Sequence, residues 1–442
     1  MGNGTTLIRK IDNKKYTNSN INKINHEDKA VHEWYRFVLS YPPHLVRHYI
    51  DEFNLSKKDT LLDPFCGTGT TLIEANFSGI KSIGIEANPF AAFASSVKTR
   101  WDVDIKGFIN DSKKISKKAE YILKKQNIDD NSIIPQIPDG LILKSLNEDA
   151  KKILLKNSIS PLPMHKVLVL LECINQYKNK NYYEHALLAL AKAVVFKISN
   201  LRFGPEVGTG KVKPDTPVIS AWYEEIENMV SDLLQIPLQS HPSTDVILGD
   251  SRELKKILND RKIDAIITSP PYPNEKDYSR TTRLESVLLG FLKDRSDLRG
   301  YKKTFIRSNT RSVYKNDNDD QWIENNKKIQ RIAEDIEKKR IELNKNSGFE
   351  KLYSSVTKLY FGGMYRHLEQ LRESLNPGAH LAYVVGDQAS YLRVMIRTGE
   401  IIGEIAESLG YKLEKIDLFR TRFSTATKQY LKEEVVILRW PN

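Results

Sequence analysis

Thr60-Leu61-Leu62-Asp63-Pro64-Phe65-Cys66-Gly67-Thr68-Gly69-Thr70-Thr71-Leu72-Ile73-Glu74-Ala75 reads as a strand, a glycine turn and a helix in immediate succession. The apolar run is short and ends at an acid, as a buried parallel strand does. Gly67 and Gly69 let the backbone pass close to a ligand, and Thr70 or Thr71 can cap the helix that follows. The next apolar strand, Ser82-Ile83-Gly84-Ile85, ends at Glu86, whose carboxylate can take two ribose hydroxyls. The third glycine of a dinucleotide fingerprint is missing, and no Gly-Lys-Ser/Thr follows to make a phosphate loop.

About two hundred residues later a second strand, Ile263-Asp264-Ala265-Ile266-Ile267, stops at Thr268-Ser269-Pro270-Pro271-Tyr272. Pro271 forces Pro270 out of the helical region, and neither proline donates a backbone hydrogen bond. The carbonyls of Ser269 and Pro270 are left pointing outward on a stiff turn, with the Tyr272 ring behind them. Such a turn can accept hydrogen bonds from an amino group while the ring stacks on a flat substrate that carries it.

Together these stretches resemble the S-adenosylmethionine-dependent DNA amino-methyltransferases. Asp63 to Gly69 is similar to the family's cofactor motif. Ser269-Pro270-Pro271-Tyr272 is similar to its catalytic motif, in the serine form usual for methylation of the cytosine amine; adenine-specific members more often carry Asp or Asn there. Further matches fall in order. His32 to Val46, with Tyr41-Pro42-Pro43, resembles the helical motif that closes over the cofactor's methionine part. Val246 to Asp250 resembles the third strand, whose terminal acid holds the adenine. Leu368 to Asp387 resembles the fifth helix and strand, and Ile401 through Leu438 the last helix and a closing hairpin.

The resemblance implies a Rossmann-like α/β methyltransferase fold, a mostly parallel twisted sheet with mainly helical insertions. It also implies S-adenosylmethionine held by Tyr41, Asp63, Phe65, Gly67, Gly69, Thr70, Glu86 and Asp250. Ser269, Pro270, Pro271 and Tyr272 would be catalytic, without a covalent enzyme intermediate, acting on a base flipped from double-stranded DNA. A restriction-modification or phage-defence setting in a prokaryotic cytoplasm follows, with a cognate restriction endonuclease as a possible partner. The alternatives are adenine in DNA, a guanine amine in RNA, or a non-catalytic nucleic-acid-binding subunit.

The catalytic core is expected in residues 31–95, 245–295 and 351–442, after a polar, mobile arm at 1–30. Residues 96–244 form a mainly helical insertion, with helical stretches at Val167 to Ile174 and Tyr183 to Ile198. By position and size it is the candidate target-recognition region. Alpha members of the family place that region between the third and fourth motifs and gamma members after the core; this chain does neither. Within the insertion, 200–214 is basic and glycine-rich, reads as neither helix nor strand, and can follow a phosphate backbone with Arg202, Lys211 and Lys213. A second insertion, 296–350, holds a basic stretch with Arg307 and Arg311. It continues into an amphipathic helix around 321–344, whose stripe is Ile329, Ile332 and Ile336. Basic and aromatic residues beside a base pocket suit a DNA clamp, and Arg280 and Arg283 are further phosphate candidates.

Composition is compatible with this reading. The chain has 442 residues, with 68 Lys+Arg against 56 Asp+Glu and a formal net charge of +12, an excess that favours a polyanionic partner. Two cysteines, Cys66 and Cys173, argue against a disulfide framework, and the nine histidines show no metal-ligand spacing, so no metal is expected. Met1 to Thr6 fits a loose N-myristoylation pattern, read as chance because no apolar run approaches a membrane span. Neither the target sequence nor an oligomeric state is written in the chain.

Overall fold

The computed structural model describes residues 23–37, 40–132, 137–204, 206–236, 242–424 and 427–441. The myristoylation-like hexapeptide and residues 1–22 of the expected arm lie outside these. The described end of that arm is docked: Asp28 is buried, and its carboxylate accepts from Arg47 at 2.9 Å.

Nine strands are described: β1 Thr60–Asp63, β2 Lys81–Glu86, β3 Leu201–Arg202, β4 Gly208–Thr209, β5 Thr244–Leu248, β6 Ile263–Thr268, β7 Leu375–Gly386, β8 Lys412–Ser424 and β9 Gln429–Arg439. Seven form one sheet in the order β5-β2-β1-β6-β7-β9-β8. The central pairs are parallel, Leu62 lying opposite Ile83 on one side and Ile266 on the other. Only β9 runs antiparallel, between β7 and β8. This is a Rossmann-like methyltransferase fold. The chain builds outward from β1 through β2 to β5, then returns to place β6 on the other flank of β1. Ligands of open α/β sheets bind beyond the carboxyl ends of the strands at such a reversal.

Both faces of the sheet are covered, so its central strands read as continuous apolar runs. On one face Leu61, Ala265, Ile267 and Val384 pack with Leu45, Val46 and Tyr49 of the helix Pro43–Glu52. On the other, Leu62, Ile266, Leu381 and Tyr383 pack with Tyr360 and Leu368 of the helix Tyr353–Leu371 and with Ile402 of Thr398–Ser408.

Neither insertion has a core of its own. In 96–244 the helices Ile105–Lys125, Pro161–Ile174, Tyr183–Ala193 and Ile219–Gln235 share one apolar cluster with Trp34, Tyr35, Ile73, Phe90, Ala94 and Val97. Residues Val194–Ile198 form a π-helical turn, in which Val194, Val195 and Ile198 are buried and Phe196 is 45% exposed. The stretch 200–214, expected to be neither helix nor strand, contains the antiparallel ribbon of β3 and β4, with Leu201 opposite Thr209. Asn200 pins it: its side chain accepts from Lys213 N at 2.7 Å and donates to the Asn157 carbonyl at 3.0 Å.

In 296–350 the amphipathic helix is shorter than expected, Lys327–Glu342, because Asn326 caps it at Ile329 N. Residues Asp319–Ile323 form a 3-10 turn instead. The Ile329 and Ile336 side chains are fully buried in the cluster that includes Tyr360 and Leu368, so this apolar stripe covers the sheet's own helices.

Candidate functional site

The turn after β1 is built from its backbone outward. Gly69 has φ +86°, and a Cβ there would meet Ser95 Oγ at 2.6 Å, so close passage beside the helix Pro89–Thr99 requires glycine. Gly69 is itself the N-cap residue of Thr70–Ser78, with no side-chain cap. Thr70 and Thr71 therefore do not cap the helix as expected; Thr71 Oγ1 donates to the Ile267 carbonyl at 3.0 Å, tying the turn to β6. Lys98, fully buried, donates to the carbonyls of Thr68 at 2.9 Å and Tyr35 at 2.8 Å. Burial holds its ammonium well below the ordinary lysine range.

Glu86 stands across this turn at the end of β2. Its carboxylate accepts from Gly67 N at 2.8 Å and Asn88 N at 2.7 Å. Burial outweighs those two donors and pushes its pKa up to about 7. Cys66 is buried beside it, its thiol raised well above the ordinary value by burial, so it is not a nucleophile at neutral pH.

The Ser-Pro-Pro-Tyr turn sits at the carboxyl end of β6, across the switch point from Gly67. Ser269 Oγ donates to the Val384 carbonyl of β7 at 3.1 Å. That bond uses the hydroxyl's only proton, so the oxygen offers lone pairs to its other neighbours, the Tyr272 hydroxyl among them. The Tyr272 ring approaches β7 closely, where a Cβ on Gly386 would meet its Cε2 at 3.0 Å and Glu433 Cγ at 3.4 Å. Arg420 of β8 holds Glu433 through Nε at 2.5 Å and Nη2 at 2.7 Å. Gly386, Glu433 and Arg420 are thus neighbours across three adjacent strands.

A single cavity of about 450 Å³ joins these parts. Tyr41, Phe65, Gly67, Thr70, Glu86, Ser269, Pro270, Pro271 and Tyr272 all line it. Three expected cofactor residues do not. Asp63 is fully buried, its carboxylate turned inward to accept from Tyr41 at 3.0 Å, Thr268 at 2.6 Å and Phe65 N at 3.1 Å. Gly69 shapes the turn from behind. Asp250 is taken by the Arg252 guanidinium at 2.6 Å, which Asp319 grips from the other side at 2.5 Å; its neighbour Ser251 reaches the cavity instead.

Burial also corrects the list of cations. Arg307 is 2% exposed and bonded to Asp317 at 2.8 Å and to main-chain carbonyls, so it cannot meet a phosphate. Arg283 spends its guanidinium on Ser279 Oγ at 2.7 Å and on the carbonyls of Ser279 and Ile153. Lys213 donates to the Lys197 carbonyl at 2.6 Å. Arg202 on β3 and Lys211, two residues past β4, are exposed and outside the cavity. Arg280 and Arg311 both reach Glu206, at 3.5 and 3.4 Å. Sequence reasoning missed Lys276, Arg420, Arg422, Phe196 and Phe203, which line the cavity. The alternation Phe419-Arg420-Thr421-Arg422-Phe423 in the closing hairpin was a readable signal for two of them.

The residues fit the expected methyl donor: an acid for a diol, an open glycine turn, and a buried Thr68 hydroxyl that has no partner among the described residues. Comparison with known proteins points the same way. The family model for N6 and N4 DNA methylases matches residues 6–95. The chain is 26% identical over 462 residues to the Type II methyltransferase M.BsoBI of Geobacillus stearothermophilus, covering 97% of this chain and 87% of that one. It is 24% identical over 428 residues to the Type II methyltransferase M.AvaI of Nostoc sp. (strain PCC 7120), covering 91% and 83%. A segment of 30 residues, 7% of this chain and 18% of the other, is 67% identical to a probable tRNA (guanine(10)-N2)-dimethyltransferase of Methanothermococcus thermolithotrophicus.

Proposed function

We propose that this chain, which belongs to the DNA amino-methyltransferase family, methylates the exocyclic amine of cytosine in duplex DNA as the modification half of a restriction-modification or phage-defence system. The family's methyl donor is S-adenosylmethionine. One observation carries the proposal: a serine oxygen whose proton is already committed to Val384 O shares a cavity with the cofactor turn.

The cytosine amine is a poor nucleophile because its lone pair is delocalised into the ring. Ser269 Oγ and the Pro270 carbonyl, both acceptors, bind its two protons and localise that pair on nitrogen. Tyr272, backed by β7, stacks on the flipped ring and fixes its plane. The Nη1 of Arg420 supplies a donor for the ring O2, which adenine lacks. Tyr41, Phe65, Gly67, Thr70 and Glu86 hold the donor, with Asp63 and Asp250 setting the turns around it. When bound, it would supply a sulfonium methyl to the amine nitrogen, the sulfur keeping the bonding pair and the nitrogen releasing one of its two protons to solvent. The chain contributes positioning and electrostatics to that transfer.

The test is incubation with unmethylated bacterial DNA and S-adenosylmethionine, followed by mass spectrometry of the nucleosides. N4-methylcytosine is expected. Methyladenine would keep the family and overturn the choice of base. The short match to a tRNA guanine methyltransferase favours a second reading, a guanine amine in RNA; methylation of tRNA but not DNA would establish it instead.

A further inference from the structure

We propose that the mouth of the cavity is a binding site for one backbone phosphate of the target strand, and that the Glu206 carboxylate occupies it in the free protein. The inference rests on DNA being the substrate.

Four cations from three separate parts of the chain gather there. Lys276, just after the catalytic turn, and Arg422 of β8 line the cavity with Glu206. Arg280, also after that turn, and Arg311 of the second insertion stand outside the lining and reach it through Glu206. Glu206 enters from the first insertion, between β3 and β4, and offers one oxygen, Oε2, to both Arg280 Nη1 and Arg311 Nη1. Both separations exceed the roughly 2.7–2.9 Å of a good charge-assisted hydrogen bond. Arg280 Nε is buried with no partner among the described residues. Lys276 Nζ and the Arg422 guanidinium have no acceptor among the described residues, although both line the cavity. Burial, and then the neighbouring Arg422, holds the Lys276 ammonium below its ordinary pKa. Glu433 and Glu275 also face the cluster, but Arg420 holds the first and Thr310 binds the second. The one carboxylate that Arg280 and Arg311 share is Glu206, and it fits poorly.

A phosphodiester remedies both defects. Its two non-bridging oxygens let Arg280 and Arg311 each have an acceptor, and the charge is spread where Lys276 and Arg422 can share it. A base flipped onto Tyr272 must drag its flanking phosphates to the cavity mouth, which is where this cluster lies. Binding then requires the Glu206 side chain to swing out. The carboxylate works against DNA and keeps the arginines aligned until DNA arrives.

The sign of one substitution decides the matter. Affinity for a target duplex would be measured with S-adenosylhomocysteine present, across a salt series. Glu206→Gln should bind more tightly than the parent, on the order of threefold to tenfold at low salt, with a salt dependence steeper by about one charge. Arg280→Ala and Arg311→Ala should each weaken binding and flatten the slope by about one. Single neutral methylphosphonates, scanned along the target strand, should reveal one position that weakens the parent as Arg280→Ala does and leaves that variant unchanged. Unaltered or weaker binding by Glu206→Gln, with its melting temperature intact, overturns the proposal. A parent that binds no duplex would sink the DNA reading as well, whereas tight binding indifferent to Glu206 sinks this site alone.

Discussion

Glu86 shows how burial can make one side chain report on the whole site. Its folded pKa, raised to about 7, lies above the ordinary value near 4.5. A raised carboxylate adds stability that is complete below about 4.5 and is lost as pH rises through about 7. Ligand binding has the opposite sign, because ribose hydroxyls donate to the ionised form. Affinity for S-adenosylmethionine, measured by calorimetry, should therefore tighten from pH 6 to pH 8, and Glu86→Gln should remove most of that dependence. Tyr272 is simpler. Tyr272→Ala should lower methyl transfer by about 5- to 100-fold, the worth of one stacked base, while cofactor affinity holds. Tyr272→Phe should retain most of the rate, since stacking uses the ring; turnover unaffected by the alanine would remove the residue from the site.

At the level of elements, the close approaches are the sensitive points. On β7 a side chain at Gly386 would push the Tyr272 ring from its backing, so Gly386→Ala should reduce turnover with little change in melting temperature. In the helix Tyr353–Leu371, a Cβ on Gly362 would stand 1.9 Å from the Asp319 carbonyl. Gly362→Ala must push away the 3-10 turn that carries Asp319, the residue gripping Arg252. Overpacking of this kind costs about 1–3 kcal/mol, a loss that denaturant unfolding should register. The helix below that turn shows where sequence reading stops. Its isoleucine stripe was visible, but a stripe says only that something is covered, and the helix Tyr353–Leu371, not DNA, lies under it.

Over the whole molecule, the helices of 105–235 and the helices that flank the sheet share one apolar cluster, so they are expected to unfold as one cooperative body. Trp34, Tyr35, Phe90 and Val97 belong to the core and share an apolar cluster with Leu170, Leu190, Trp222 and Met229 of the insertion. Thermal unfolding should give a single calorimetric transition, and excising 105–235 should yield an insoluble chain because it bares that cluster. Two resolved transitions would mean that the insertion folds by itself.

The sequence by itself determined where β1, β2 and β6 lie along the chain, and the glycine turn and the proline turn that end β1 and β6. Each is a local pattern: an apolar run, a glycine or proline whose backbone preference is intrinsic, and an acid at a fixed offset. Only the tertiary structure decided which charges are free. Arg307 and Arg311 look alike in the chain, yet one is sealed against Asp317 and the other meets a carboxylate more than a hundred residues away. The same holds for Asp250, claimed by Arg252, and for Arg422 and Lys276, drawn together from distant strand ends. Burial and ion pairing depend on what the fold brings alongside, and no spacing along the chain encodes that.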